Sequence, residues 1–250
     1  MIVAHRGASY EAPENTMEAF RLAWEQGADA IEGDFHLTKD RQIVCIHDRN
    51  TERVSNTNIV VSTSTLSELR ALDVSLLHGE APHGGAFKGV VIPTIEEVFS
   101  TIPQQKSIYI EIKCGTEIIA PLLEAMMKTG LKSEQVLVIS FHSDVLEELK
   151  TQAPQYKTSL LRQFRMNESG ASEPSLEVVL ETLARIKADG LSSDIAIPET
   201  VVKAIKAHGY EWHVWTVDDL ETAMHIQARG VTSITTNRPG YMRSATCRAE

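Results

Sequence analysis

Residues 2–27 read IVAHRGASYEAPENTMEAFRLAWEQG, and this opening decides the fold. Ile2-Val3-Ala4 is a short apolar run suited to a buried strand. A polar loop follows it, and the spacing then predicts a helix over Thr16 to Gln26, with Asn15 as N-cap and Met17, Phe20 and Trp24 on one face. Gly27 closes the helix. Strand, loop, helix and glycine make one βα unit, and such a unit buries its apolar faces only beside others like it.

The rest of the chain repeats this pattern. Ala30-Ile31-Glu32 and Ile43-Val44-Cys45-Ile46 read as a second strand and a paired extension, followed by a helix over Thr94 to Thr101 opened by Pro93. Further strands are expected at Ser107–Ile112, Val136–Ile139, Thr158–Leu161, near Gly190-Leu191, at Glu211–Val217 and at Ser233–Thr235. Helices are expected near Ile118–Lys128, Asp144–Gln152, Ser175–Ile186, Glu199–Ala207 and Asp218–Ala228. Eight units in 250 residues fit an α/β fold of the (β/α)8 TIM-barrel kind, which closes its sheet and leaves no edge. Residues 1–250 therefore read as one barrel domain. Residues 49–92 break the rhythm with a short helix pattern (Leu66 to Leu72), polar turns and the Gly-rich His83-Gly84-Gly85-Ala86-Phe87-Lys88-Gly89. So long a connection reads as an insertion after the second strand unit, lying over the barrel mouth.

Composition narrows the function. Apolar residues at 42% and charged ones at 23% suit a chain with a large core, and a net charge of -10 argues against a nucleic-acid surface. Cys45, Cys114 and Cys247 form no CxxC pair, which suits a reducing compartment. No signal peptide precedes the first strand and no apolar run approaches the roughly 20 residues that span a bilayer. Cytoplasm is the expected location, without membrane insertion, and nothing specifies an oligomeric state.

In this architecture the C-terminal strand ends carry the active site, and here they are polar. The first ends in His5-Arg6, the second in Glu32-Gly33-Asp34, its extension in His47-Asp48, the third in Glu111-Ile112-Lys113 and the seventh in Trp215. Residues i and i+2 of a strand point to one side, so Glu32 and Asp34 aim together, as do Glu111 and Lys113. Three converging carboxylates repel one another unless a cation sits among them, and an all-oxygen set suits Mg²⁺ or Ca²⁺. His5 and His47 supply an acid/base pair for a phosphodiester, Arg6 a planar fork for phosphate oxygens and Lys113 a point charge. Two other readings compete: a Schiff-base aldolase using Lys113, and a barrel that binds phosphate without catalysis. His142 at the end of the fourth strand either faces the pocket or starts a helix. His36, His78, His83, His208, His213 and His225 read as structural or surface residues.

The order HRG…PENT, EGD, HD, IPTIEEV, EIK and VWTV resembles the glycerophosphodiester phosphodiesterase family over nearly the whole chain. The resemblance implies a metal-dependent barrel that cleaves glycerophosphodiesters, such as glycerophosphocholine or glycerophosphoethanolamine, to sn-glycerol 3-phosphate and an alcohol. By motif it implies metal ligands Glu32, Asp34 and Glu111, acid/base residues His5 and His47, and phosphate contacts from Arg6 and Lys113. It further implies that Glu14 and Asn15 support the first loop and the metal shell, and that Trp215 lines the pocket. One departure stands out: the last strand usually ends in TDRP, and here it reads Thr236-Asn237-Arg238-Pro239. The change is expected to touch only a peripheral polar contact.

Overall fold

In the computed structural model, which describes residues 1–75 and 87–246, eight parallel strands form a closed barrel. His78, His83 and Cys247, together with the Gly84-Gly85-Ala86 part of the Gly-rich stretch, lie outside the described residues. The barrel strands are β1 (Ile2–His5), β2 (Ala30–Leu37), β4 (Ser107–Ile112), β5 (Val136–Ser140), β6 (Lys157–Arg162), β9 (Gly190–Ser193), β10 (Glu211–Val214) and β11 (Ser233–Thr236). β1 pairs with β2 on one side and with β11 on the other, Ile2 opposite Ile234, which closes the ring. The short β3 (Ile43–Cys45) runs antiparallel to the end of β2.

Alternation along each strand sorts the side chains. Val3, Ala30, Tyr109, Leu137, Ile139 and Leu161 pack together in one cluster inside the barrel. Their neighbours Ile2, Ile31, Phe35, Ile108 and Ile110 pack outward, against the helices. Both faces are covered, so all eight residues of β2 are buried, its charged ones included. The principal covering helices are α1 (Met17–Glu25), α4 (Ile119–Thr129), α5 (Ser143–Gln152), α6 (Leu176–Arg185), α7 (Glu199–Ala207), α8 (Leu220–Ala228) and α9 (Pro239–Thr246). Gly33 permits close packing on the outer face of β2: a Cβ there would lie 3.1 Å from Cys45 Sγ and 3.2 Å from the Phe20 ring of α1.

Several boundaries differ from the sequence reading for identifiable reasons. The N-cap of α1 is Thr16, whose Oγ1 accepts from Ala19 N at 3.2 Å. Asn15 instead turns inward at φ 57°, and its carboxamide is consumed by Asp34. The helix expected over Thr94 to Thr101 is α3 (Ile95–Phe99), held by a capping box between Thr94 and Glu97. β10 stops at Val214, and α8 begins at Leu220 with Asp219 as cap, which leaves Asp218 free for another role. A small hairpin, β7 (Arg165–Met166) with β8 (Ser172–Glu173), has no counterpart in the sequence pattern.

After β3, residues between 49 and 92 carry the short helix α2 (Leu66–Arg70) and a separate apolar cluster of Val61, Leu69, Val74, Val90 and Ile92 packed on Val44 and Ile46. No helix among the described residues is long and apolar enough to cross a membrane.

Candidate active site

The C-terminal ends of the strands surround one cavity lined by His5, Arg6, Glu32, His47, Glu111 and Lys113 on its polar side. Ile139, Phe141, Leu161 and Trp215 form the opposite wall. Strand register brings the acidic residues together. His5 lies beside Glu32, and Asp34 beside Glu111. Glu32, Asp34 and Glu111 each offer an oxygen within 4.8 Å of the others, and all three are buried.

Their surroundings satisfy only part of this charge. Glu32 Oε2 accepts from Arg6 N at 2.9 Å, Asp34 Oδ2 from Asn15 Nδ2 at 2.8 Å, and Glu111 Oε1 from Lys113 Nζ at 2.6 Å. Glu32 Oε1 and Asp34 Oδ1 are buried with no hydrogen-bond partner among the described residues. Arg6 Nε and Lys113 Nζ approach Asp34 at 3.1 and 3.5 Å, ion-pair contacts not aligned for hydrogen bonding. Burial, then the charges of Asp34 and Glu111, push the Glu32 carboxyl well up. Burial and Asp34 raise Glu111 to about 7. Burial also acts on Asp34, but Arg6 and Lys113 override it and hold this carboxyl down at about 2. Two carboxylates strained upward and two orphaned acceptor oxygens fit a hard divalent cation, which would relieve both conditions.

The two imidazoles are held differently. Burial and the Arg6 charge lower His5 to about 4, so it is neutral near pH 7. Its Nδ1 lies 2.7 Å from Asn237 Oδ1. Asn237, expected at the periphery, is thus in direct contact with His5. Nδ1 of His47 lies 2.7 Å from Asp48 Oδ1. Asp48 accepts in turn from Arg53 Nε at 2.6 Å, and Arg53 also donates two hydrogen bonds of 2.7 Å to Glu14. Glu14 accepts from Arg6 Nη1 at 3.0 Å, so one chain of charges runs from His47 to the arginine beside the acidic cluster. Nothing in the polar stretch after His47 marks Arg53 as a partner of Glu14, 39 residues away.

The loop after β1 owes its shape to backbone strain. Arg6 and Gly7 both take positive φ, 57° and 80°. Ala8 N donates to Ala19 O at 2.9 Å, which lays the loop on α1. Trp215 lines the apolar wall, its ring edge-on to Phe141 with centroids 5.8 Å apart, and its buried Nε1 has no hydrogen-bond partner among the described residues. His142 does not line this cavity; it stands at the start of α5, exposed. His213 is buried inside the barrel against Ser233 and Tyr109 and borders the cavity floor.

Carboxylates that need a cation, beside cations that suit a phosphate, define a class: barrel enzymes of phosphate-ester chemistry. Comparison with known proteins gives the family. The model of the glycerophosphoryl diester phosphodiesterase family matches residues 5–241. A glycerophosphodiester phosphodiesterase of Caldanaerobacter subterraneus is 36% identical over 246 residues, 96% of this chain and 94% of that one. One from Bacillus subtilis is 31% identical over 96% of this chain and 84% of its own length. Among solved structures, a phosphodiesterase of Oleispira antarctica in complex with the product sn-glycerol-3-phosphate superposes with a TM-score of 0.86 at 25% identity, covering 99% of this chain and 96% of that one. The chain belongs to the glycerophosphoryl diester phosphodiesterase family and is a phosphoric diester hydrolase.

Proposed function

We propose that this protein hydrolyses glycerophosphodiesters such as glycerophosphocholine or glycerophosphoethanolamine, releasing sn-glycerol 3-phosphate and an alcohol. One observation carries this reading: three buried carboxylates lie within 4.8 Å of one another, and two of them, Glu32 and Glu111, line a cavity that two imidazoles also line. The product bound by the Oleispira relative agrees with it. Glu32, Asp34 and Glu111 would hold Mg²⁺ or Ca²⁺, and such an ion supplies Lewis-acid polarisation of a phosphoryl oxygen.

The remaining chemistry belongs to the chain. His5 is neutral and bonded to a neutral amide, so it serves as the base that takes a proton from the attacking hydroxyl. That hydroxyl is water's, or the 2-hydroxyl of the glycerol, whose attack would expel the alcohol and give a cyclic glycerol phosphate that water then opens to sn-glycerol 3-phosphate. His47 is paired with a carboxylate that matches an imidazolium, so it serves as the acid that protonates the departing alcohol. Arg6 and Lys113 balance charge on the phosphate as the bond breaks. Asn15 holds Asp34, Glu14 holds Arg6, and Trp215 walls the cavity on the substrate's apolar side. An aldolase role for Lys113 finds no support. Burial would lower its ammonium, but Glu111 and Asp34 outweigh burial and raise it, which keeps the amine protonated and unreactive.

The test is product release from a glycerophosphodiester panel with Mg²⁺, with Ca²⁺ and after thorough chelation. Release of glycerol phosphate that stops on chelation and returns with one ion is expected. Full activity without metal would refute the mechanism, and wild-type turnover by a His5→Ala protein would refute the role of His5.

A further inference from the structure

The contact between His5 and Asn237 has a second layer. Asn237 follows β11, and Asp218 lies in the loop after β10, so three neighbouring strand ends meet here. Asp218 Oδ2 accepts from Asn237 Nδ2 at 2.6 Å. Its Oδ1 accepts from Asn237 N at 2.7 Å and from Thr236 Oγ1 at 2.9 Å. Ser9 Oγ lies 2.9 Å from Asn237 Oδ1 and 2.7 Å from the His5 carbonyl oxygen. Among the described residues Asp218 makes no hydrogen bond or ion pair with His5 itself.

A carboxylate that receives three donors has only acceptor capacity to offer the Asn237 side chain. The amide must therefore turn its NH2 toward Asp218 and its oxygen toward His5. An amide oxygen accepts only, so the hydrogen of the neutral imidazole sits on Nδ1 and the lone pair on Nε2. We propose that Asp218, acting through the fixed amide of Asn237, is a positioning residue that sets the tautomer of His5 and presents the Nε2 lone pair to the substrate. The proposal rests on the reading of His5 as the base.

This device differs from the pair at His47, where the carboxylate contacts the imidazole directly. Interposing an amide transmits direction without placing a charge against His5. The imidazole keeps its orientation, and its Nδ1 partner carries no negative charge to favour protonation before the substrate arrives.

Asp218→Asn is the decisive variant, because it is almost isosteric and removes one acceptor at the position that orders the amide. Its own oxygen still serves Asn237 N and Thr236 Oγ1, so its NH2 confronts that of Asn237. The Asn237 amide then flips, and His5 is left facing a donor. The readout is a long-range 1H–15N correlation of the His5 imidazole in 15N-histidine-labelled protein with Mg²⁺ at mildly alkaline pH, assigned with His5→Gln. Wild type is expected to show hydrogen on Nδ1, and Asp218→Asn hydrogen on Nε2. Turnover should fall at least about 100-fold in kcat with KM changed by no more than about threefold, since a wrong tautomer can cost up to about 10⁴. Combining Asp218→Asn with Asn237→Asp restores donor to acceptor, and should return the Nδ1 hydrogen and a kcat within about tenfold of wild type.

Asp218→Asn with an unchanged tautomer, or with kcat within about threefold of wild type, would overturn the proposal, as would failure of the combined variant to restore the tautomer. Should Asp218→Asn not fold, Asn237→Ala serves, because the Asn237 backbone and Thr236 bonds to Asp218 remain. It should populate both tautomers, and a single Nδ1 tautomer would overturn the idea. The imidazole signal needs no substrate. A wild-type protein without turnover would count against the hydrolase reading and leave the tautomer result standing on its own.

Discussion

Gly7→Ala is expected to damage both stability and turnover, and the structure says why. Gly7 has φ 80°, and a Cβ there would lie 2.6 Å from the carbonyl carbon of Ala19 and 2.7 Å from its Cβ. The left-handed conformation costs a non-glycine residue about 1 kcal/mol, and forcing a methyl onto helix backbone adds about 1–3 kcal/mol. A total near 3 kcal/mol, set against an unfolding entropy of about 0.5 kcal/mol per degree for a chain of this length, lowers Tm by about 6 °C. The clash is relieved when the loop lifts off α1 by something close to an ångström. His5 and Arg6 move with it, and a displacement of that size costs on the order of 100-fold in kcat/KM. Gly209→Ala is the control, because Gly209 shares the positive φ, at 83°, but a Cβ there meets nothing within 4 Å. It should lose about 2 °C and keep full activity. Thermal unfolding followed by circular dichroism, with initial rates on glycerophosphocholine, measures both. Equal Tm losses in the two variants, or wild-type turnover by Gly7→Ala, would refute the reasoning.

Three further outcomes are expected. Saturation with the preferred divalent ion at about 100 times its Kd should add about 2.7 kcal/mol of stability, a rise of roughly 5 °C in Tm, and Glu111→Ala should abolish that rise. Arg53→Ala should lower kcat about tenfold with little change in Tm, because it frees Asp48 and Glu14 from their shared partner; rates and melting curves on one preparation would decide. At the opposite end of the barrel Glu211 is held at about 2, by His213 first and by Lys157, with burial opposing. A lowered carboxyl contributes stability above its unfolded value near 4.5 that disappears as pH falls toward 2. Glu211 is about a third exposed, so the contribution is discounted to about 1–2 kcal/mol, and Glu211→Gln should flatten that stretch of the pH–stability curve.

How much of the fold and the site is legible in the sequence depends on the range of the interaction. Period-two alternation in Ala30–Leu37 and Ser107–Ile112 is local, and it suffices by itself to put Glu32, Asp34 and Glu111 on the inner face. Helix ends are less legible because Asn and Asp side chains have competing uses. Asn15 is a good cap by type, yet Asp34 claims its carboxamide. Asp218 reads as part of a helix start, yet it belongs to Asn237. The partnership of His5 with Asn237 spans 232 residues and exists only because β1 and β11 are neighbours. Arg53 is hidden for the same reason, and the two-residue strands of the β7–β8 hairpin are too short to show a period.

The seam between β1 and β11 also orders events in time. Of the proposed site residues, a ribosome delivers His5 and Arg6 before Glu32, Asp34 and Glu111, and Asn237 after all of these. Until β11 has emerged, the growing chain is a sheet with two open edges, holding every proposed metal ligand but neither ring closure nor the partner of its proposed base. Arg243 of α9 then reaches back to the carbonyl of Gly27 and to Asp29, fastening the late segment onto the early one. The growing chain is thus expected to stay catalytically silent until β11 has emerged and to gain activity in a single step when the ring closes.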